Sequence, residues 1–111
     1  MAKSYDDRVA ELNALFDRAI RIQEDLVERV ELTHLIGAPD KDFTAAHISL
    51  MNSIIKVRSM SKEYDQVIRQ ANLERAAELA ADANEEAARS EVVIQAYCKA
   101  VAVQLPRSSL M

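Results

Sequence analysis

Leu35-Ile36-Gly37-Ala38-Pro39-Asp40-Lys41-Asp42 holds the only glycine and one of the two prolines of this 111-residue chain. Glycine adopts the left-handed backbone that closes a helix, and a proline just beyond it prevents the helix from resuming at once. The stretch therefore reads as the end of one helix, a turn of about five residues and the start of another, with Asp42 or Asp40 as the second helix's N-cap. His34, in the last turn before it, suits the negative end of the helix dipole. A turn that short makes the two helices antiparallel neighbours.

Working back toward the N-terminus, the first helix starts at Ser4. Ser4 is a good N-cap, Asp7 sits where a capping box places its acid, and Asp6 and Asp7 suit the positive end of the dipole. Val9, Leu12, Phe16, Ala19, Leu26 and Val30 then recur at alternating spacings of three and four, with Gln23 and Thr33 filling the polar gaps. That is a heptad seam. Leu15, Ile20, Ile22 and Val27 widen it beyond a two-stranded coiled-coil stripe, toward the face of a helical bundle. Residues 5–36 would span ~48 Å at the rise of an α-helix.

Working forward, Leu50, Ile54, Val57, Tyr64 and Ile68 repeat the pattern, with Ser61 as the gap. Residues 43–70 give a second helix of similar length. Residues 71–89 are rich in alanine and acid and contain neither Gly nor Pro, so two readings stand: the second helix continues, or it breaks near Asp82-Ala83-Asn84-Glu85, where Asp82 and Glu85 could form a capping box. Residues 91–105 turn apolar again and predict a C-terminal helix, with a short strand as the alternative because of the β-branched Val92, Val93 and Ile94. Pro106 ends it, and residues 106–111 are expected to be a flexible tail.

The expected fold is thus all-α: a long antiparallel helical hairpin plus a C-terminal helix, in one domain over residues 1–105. Acid-first pairs four apart (Asp17–Arg21, Asp25–Arg29, Asp65–Arg69 and Glu85–Arg89) support the helical period. Alanine at residues 71–89 favours close helix approach. The apolar faces of the hairpin are wider than one partner helix covers, so a further layer must come from residues 91–105 or from a second subunit. A homo-oligomeric bundle is expected.

Composition narrows the function classes. The formal charge of −4 lacks the basic footprint of a free-standing nucleic-acid binder. Cys98 is the only cysteine, so no internal disulfide can form. The N-terminus is polar and no apolar run approaches a membrane span, which predicts a cytoplasmic protein without membrane contact.

Chemistry-bearing motifs are sparse. Glu31-Leu32-Thr33-His34 has the Glu-x-x-His spacing of carboxylate di-iron bundles, but His47 has Thr44 where a second motif needs its glutamate. Cys98 would need a nearby cation to become a nucleophile, and Lys99 points to another face; a small core residue is the simpler reading. No catalytic, cofactor-binding or metal-ligating residue is assigned, and no cofactor is expected.

Arg58, Lys62 and Arg69 form the only basic stripe, diluted by Asp65, and are the candidate interaction face. A solvated helix face is the bland alternative. The acidic row Glu74, Glu78, Asp82 and Glu85 is a candidate counterpart on a neighbouring subunit. The seam residues Val9, Leu12, Phe16, Leu26, Val30, Leu50, Ile54, Val57, Tyr64 and Ile68 are expected to build the bundle or an oligomer contact.

The shape of residues 5–70 resembles the helical-hairpin oligomerisation core of phage small terminase subunits, which form rings and present DNA to a packaging motor. The resemblance implies a DNA-packaging assembly factor. The chain lacks room for the helix-turn-helix domain usual in that family, which leaves nucleic acid a possible partner but not the favoured one. The expected function is a non-enzymatic oligomerisation or adaptor protein that contacts itself or another protein. The alternatives are that assembly factor and a small helical chaperone or inhibitor of a host protein.

Overall fold

The computed structural model describes residues 3–104, which form α1 (Tyr5–Leu35), α2 (Asp40–Arg69) and α3 (Leu73–Gln104). The expected end of the last helix and the tail, residues 105–111, lie outside the described residues. The helices run up, down and up, so α1 and α3 are parallel and α2 is antiparallel to both. The bundle measures 58 × 26 × 16 Å. It is the all-α hairpin read from the sequence, completed by the chain's own third helix.

Local chemistry sets each helix end. Ser4 caps α1 by accepting from the Asp7 amide at 3.1 Å. At the other end the Gly37 amide donates to the His34 carbonyl at 3.2 Å, and the Ala38 amide to Thr33 at 2.9 Å. That paired arrangement is a Schellman cap, with Gly37 at φ 102°.

The second helix begins earlier than expected. Pro39 occupies its N-cap and Asp40 its first position; neither Asp40 nor Asp42 caps it with a side chain. Proline, with φ already set near the helical value, can take this position without a side-chain cap. The two aspartates act instead through the dipole of the first turn.

Neither reading of residues 71–89 survives. α2 ends at Arg69, and α3 is unbroken from Leu73 through the Asp82–Glu85 stretch. The turn lies at Gln70-Ala71-Asn72. The Ala71 amide donates to Ile68 at 3.0 Å and the Asn72 amide to Val67 at 2.9 Å. This is a second Schellman cap, with Ala71 held at φ 58° where glycine is usual. Asn72 then caps α3 by accepting from the Arg75 amide at 3.2 Å. Arg75 grips Glu63 on α2 through two bonds, at 2.7 and 3.1 Å, and braces the turn. The strand alternative for residues 91–105 also falls: helix continues to Gln104.

Three heptad seams meet inside. On α1 they are Phe16, Ala19, Gln23, Leu26, Val30 and Thr33, all buried. Gln23 and Thr33, which read as gaps, are therefore core positions. On α2 the buried seam is Ala46, Leu50, Ser53, Val57, Tyr64 and Val67. This shifts the expected register: Leu50, Val57 and Tyr64 are central, while Ile54 and Ile68 flank the seam half-buried. Val9 and Leu12 are also half-buried. On α3 the seam runs Ala76, Ala80, Ala83, Ala87, Ser90, Ile94 and Val101.

Hydroxyl and amide groups divide this core. Gln23 donates to Ser53 Oγ at 3.1 Å, and Ser90 donates to the same oxygen at 2.5 Å, so each helix contributes one side chain. One apolar cluster, including Phe16, Val57 and Leu79, lies on one side of this layer. A second, including Leu26, Leu50 and Ile94, lies on the other. A polar layer satisfied in only one alignment penalises heptad slips, because a shifted helix would strand buried donors. Two further polar contacts tie helices together at the seam: Tyr64 to Asn13 at 2.6 Å, and Thr33 to Tyr97 at 2.7 Å.

Of the four acid-first pairs, Glu85–Arg89 closes, at 3.5 Å. Asp17–Arg21, Asp25–Arg29 and Asp65–Arg69 are not among the ion pairs of the described residues. Exposed pairs of this kind contribute little, and side-chain entropy keeps many open.

Candidate interaction groove

The three helices do not pack equally. α1 lies more extensively against α3 than against α2, its neighbour in the chain. Ala76, Ala80, Ala83 and Ala87 are fully buried and let the α1 and α3 backbones approach closely. Asn84 bridges them by donating to the Leu15 carbonyl at 2.7 Å. With α3 drawn to one side, α1 and α2 splay apart on the opposite face.

The opening is a groove of about 830 Å³. Its α1 wall carries Ile20, Val27, Glu24 and Glu28; its α2 wall carries Met51, Ile54, Ile55 and Arg58, with Gln23, Val57 and Ser61 along the floor and ends. Ile55 is 59 % exposed and Ile48, two turns before it on the same face, is 54 % exposed. One wall is therefore acidic at its rim, the other basic, and the space between them apolar.

Arg58 stands on the groove wall, and Lys62 lies one turn further along α2. Arg69 lies further along the same stripe, in the last turn of α2, where its charge suits the helix C-terminus. All three are exposed, and none is among the ion pairs of the described residues. The acidic row of α3 makes no ion pair with them among the described residues, and its Glu78 is held by Arg75 at 2.9 Å. The acids on the opposite wall of the groove are Glu24 and Glu28. The groove's signal in the sequence was the Ile54-Ile55 doublet: two adjacent isoleucines on a helix cannot both point into one seam.

The chemistry-bearing residues are placed in structural settings. The His34 ring lies 4.3 Å from that of Phe43, which stacks on His47 at 5.6 Å, and His34 Nδ1 is 4.0 Å from Asp40. His34 thus packs the α1–α2 turn. Among the described residues no group of three or more His, Cys, Asp and Glu could hold a metal ion. Cys98 is half-buried beside Ile94 and Leu50, and that burial pushes its thiol pKa up, against a weaker opposing pull from Arg29 on α1. Burial likewise raises the Tyr64 phenol, reinforced by the charges of Asp17 and Asp65.

A smaller groove of about 400 Å³ lies between α2 and α3 near the α3 C-terminus, lined by Asp42, Ala46, Tyr97 and Gln104 among others. No helix of the described residues is long and apolar enough to cross a membrane. No family model, curated protein or solved structure matches this chain.

Proposed function

We propose that this chain is a non-enzymatic helical adaptor that acts in the cytoplasm through protein–protein contacts, self-association among them. The observation that carries the reading is the α1/α2 groove: an apolar channel with an acidic rim, a basic rim and the exposed Ile55 beside it. An apolar core ringed by charge is the composition of a protein-binding patch. The setting of the reactive side chains supports the same reading. Cys98, whose burial disfavours the thiolate, is a poor nucleophile. His34 is committed to the turn by Phe43 and Asp40.

The test pairs the solution mass of the purified chain with affinity capture from its native cell extract, for the native protein and for Ile55→Asp. The adaptor reading expects a self-associated species, a retained protein partner or both, weakened in the variant. A monomer that retains no protein would end it.

A further inference from the structure

We propose that the α1/α2 groove is the docking site for an amphipathic helix of a partner protein, one that carries lysine or arginine along the flank facing α1. This rests on the adaptor reading and names the chemistry of its partner.

The shape of the groove selects a helix. Its α2 wall runs from Met51 to Ser61, ~15 Å at the rise of an α-helix, or about three turns. Three turns offer apolar anchors at i, i+3 or i+4 and i+7, the spacing by which a helix seats itself in such a groove. The anchors meet Ile20 and Val27 on one wall and Ile54 and Ile55 on the other. An extended segment in the same place would bury its backbone amides and carbonyls against apolar side chains, whereas a helix satisfies its own. α3 already closes the opposite face through its alanine row, so the added helix takes the fourth position of a four-helix bundle.

Charge selects which helix. Glu24 and Glu28 stand on the α1 wall, while the bases of that stretch, Arg18, Arg21 and Arg29, do not line the groove. Asp17 and Glu31 lie one heptad before and after Glu24 and extend the acidic edge along α1. The Asp17 charge reaches the Tyr64 phenol of α2, which places it on the side of α1 that faces α2. All four acids are exposed, and none is among the ion pairs of the described residues. That edge repels phosphate, which argues against nucleic acid or an anionic membrane as the occupant, and it attracts a basic flank. Arg58 on the opposite wall favours an acid on the occupant's other flank.

The test uses the full chain and three synthetic peptides of about 18 residues, ~27 Å long as helices. The first has a leucine stripe with lysine along one flank and glutamate along the other. The second has glutamate along both flanks, and the third has the residues of the first in an order that breaks the stripe. Fluorescence anisotropy reads affinity, and amide shifts of the isotope-labelled chain read the site. The first peptide is expected to bind at least about tenfold more tightly than the other two, less so as salt rises, with shifts at Ile20, Val27 and Ile55. Glu24→Lys with Glu28→Lys should invert the preference between the first two peptides. Ile55→Asp should weaken binding of the first, with circular dichroism confirming that each variant is helical.

Failure of the first peptide to bind, equal binding of the first two, or shifts confined to other faces overturns the proposal. So does self-association of the native chain that is lost on Ile55→Asp, since a second copy then fills the groove. If the first peptide fails while a cellular protein is still captured through Ile55, the basic helix is excluded and the adaptor reading stands.

Discussion

The α1–α3 contact and the α1–α2 contact use the same helix in opposite ways. Against α3, α1 meets a row of fully buried alanines, and the two backbones close with the Asn84 side chain bonded to the Leu15 carbonyl. Against α2, α1 meets isoleucine, methionine and arginine, and a groove of about 830 Å³ separates the walls. Small side chains remove the spacing between parallel helices; large ones on a neighbour that is already drawn aside leave a channel. The closed contact carries stability and the open one is free to carry recognition.

That contrast can be broken most forcefully at Ala83. Replacing it with Leu forces a large side chain into the closed contact and should destabilise the fold by about 3 kcal/mol, the upper range for overpacking. Urea unfolding measures it; a change under about 0.5 kcal/mol would mean that α1 and α3 separate easily. Next is Gln23→Ala, which removes the amide that joins α1 to the buried Ser53–Ser90 pair. A loss of about 2 kcal/mol is expected, together with broader amide resonances in NMR spectra as the helix register loosens.

Smaller in size and opposite in sign is Ala71→Gly. The left-handed backbone at Ala71 is strained for any residue with a Cβ, so glycine should raise stability by about 1 kcal/mol. A thermal melt that moves down instead would show that Ala71 does not hold that conformation. The smallest effect belongs to the groove: Ile55→Ala removes exposed apolar surface and should change monomer stability by less than about 0.5 kcal/mol. It separates the groove wall from the core, since any substantial destabilisation would make Ile55 a core residue.

Legibility in the sequence followed the strength of the local signal. The bounds of α1 were legible because Ser4 and Gly37 mark them, while its buried Gln23 and Thr33 read as gaps in the seam. The α2 seam was read half a register off, since Ile54 and Ile68 resemble core residues more than Ser53 does. Ser53 is buried because two partners on two other helices satisfy its hydroxyl, and no local pattern announces that. The α2–α3 turn was invisible for a related reason. It uses the same Schellman geometry as the Gly37 turn but places Ala71 where glycine is the signal. The groove was half visible: Arg58 and Lys62 stood out as a basic stripe, whereas Glu24 and Glu28 were lost among the many acids of α1.

By itself, then, the amino-acid order determined what is local: helical class, the caps of α1, the first turn and the heptad spacing, because these depend on residues within a few positions of each other. The tertiary structure alone decided which heptad phase of α2 faces inward, where α2 gives way to α3, and that α3 lies against α1 and leaves the α1/α2 groove open. Those outcomes rest on contacts between distant residues, an alanine row choosing the nearest backbone and three polar side chains choosing one another, and neither choice is written in any single stretch of the chain.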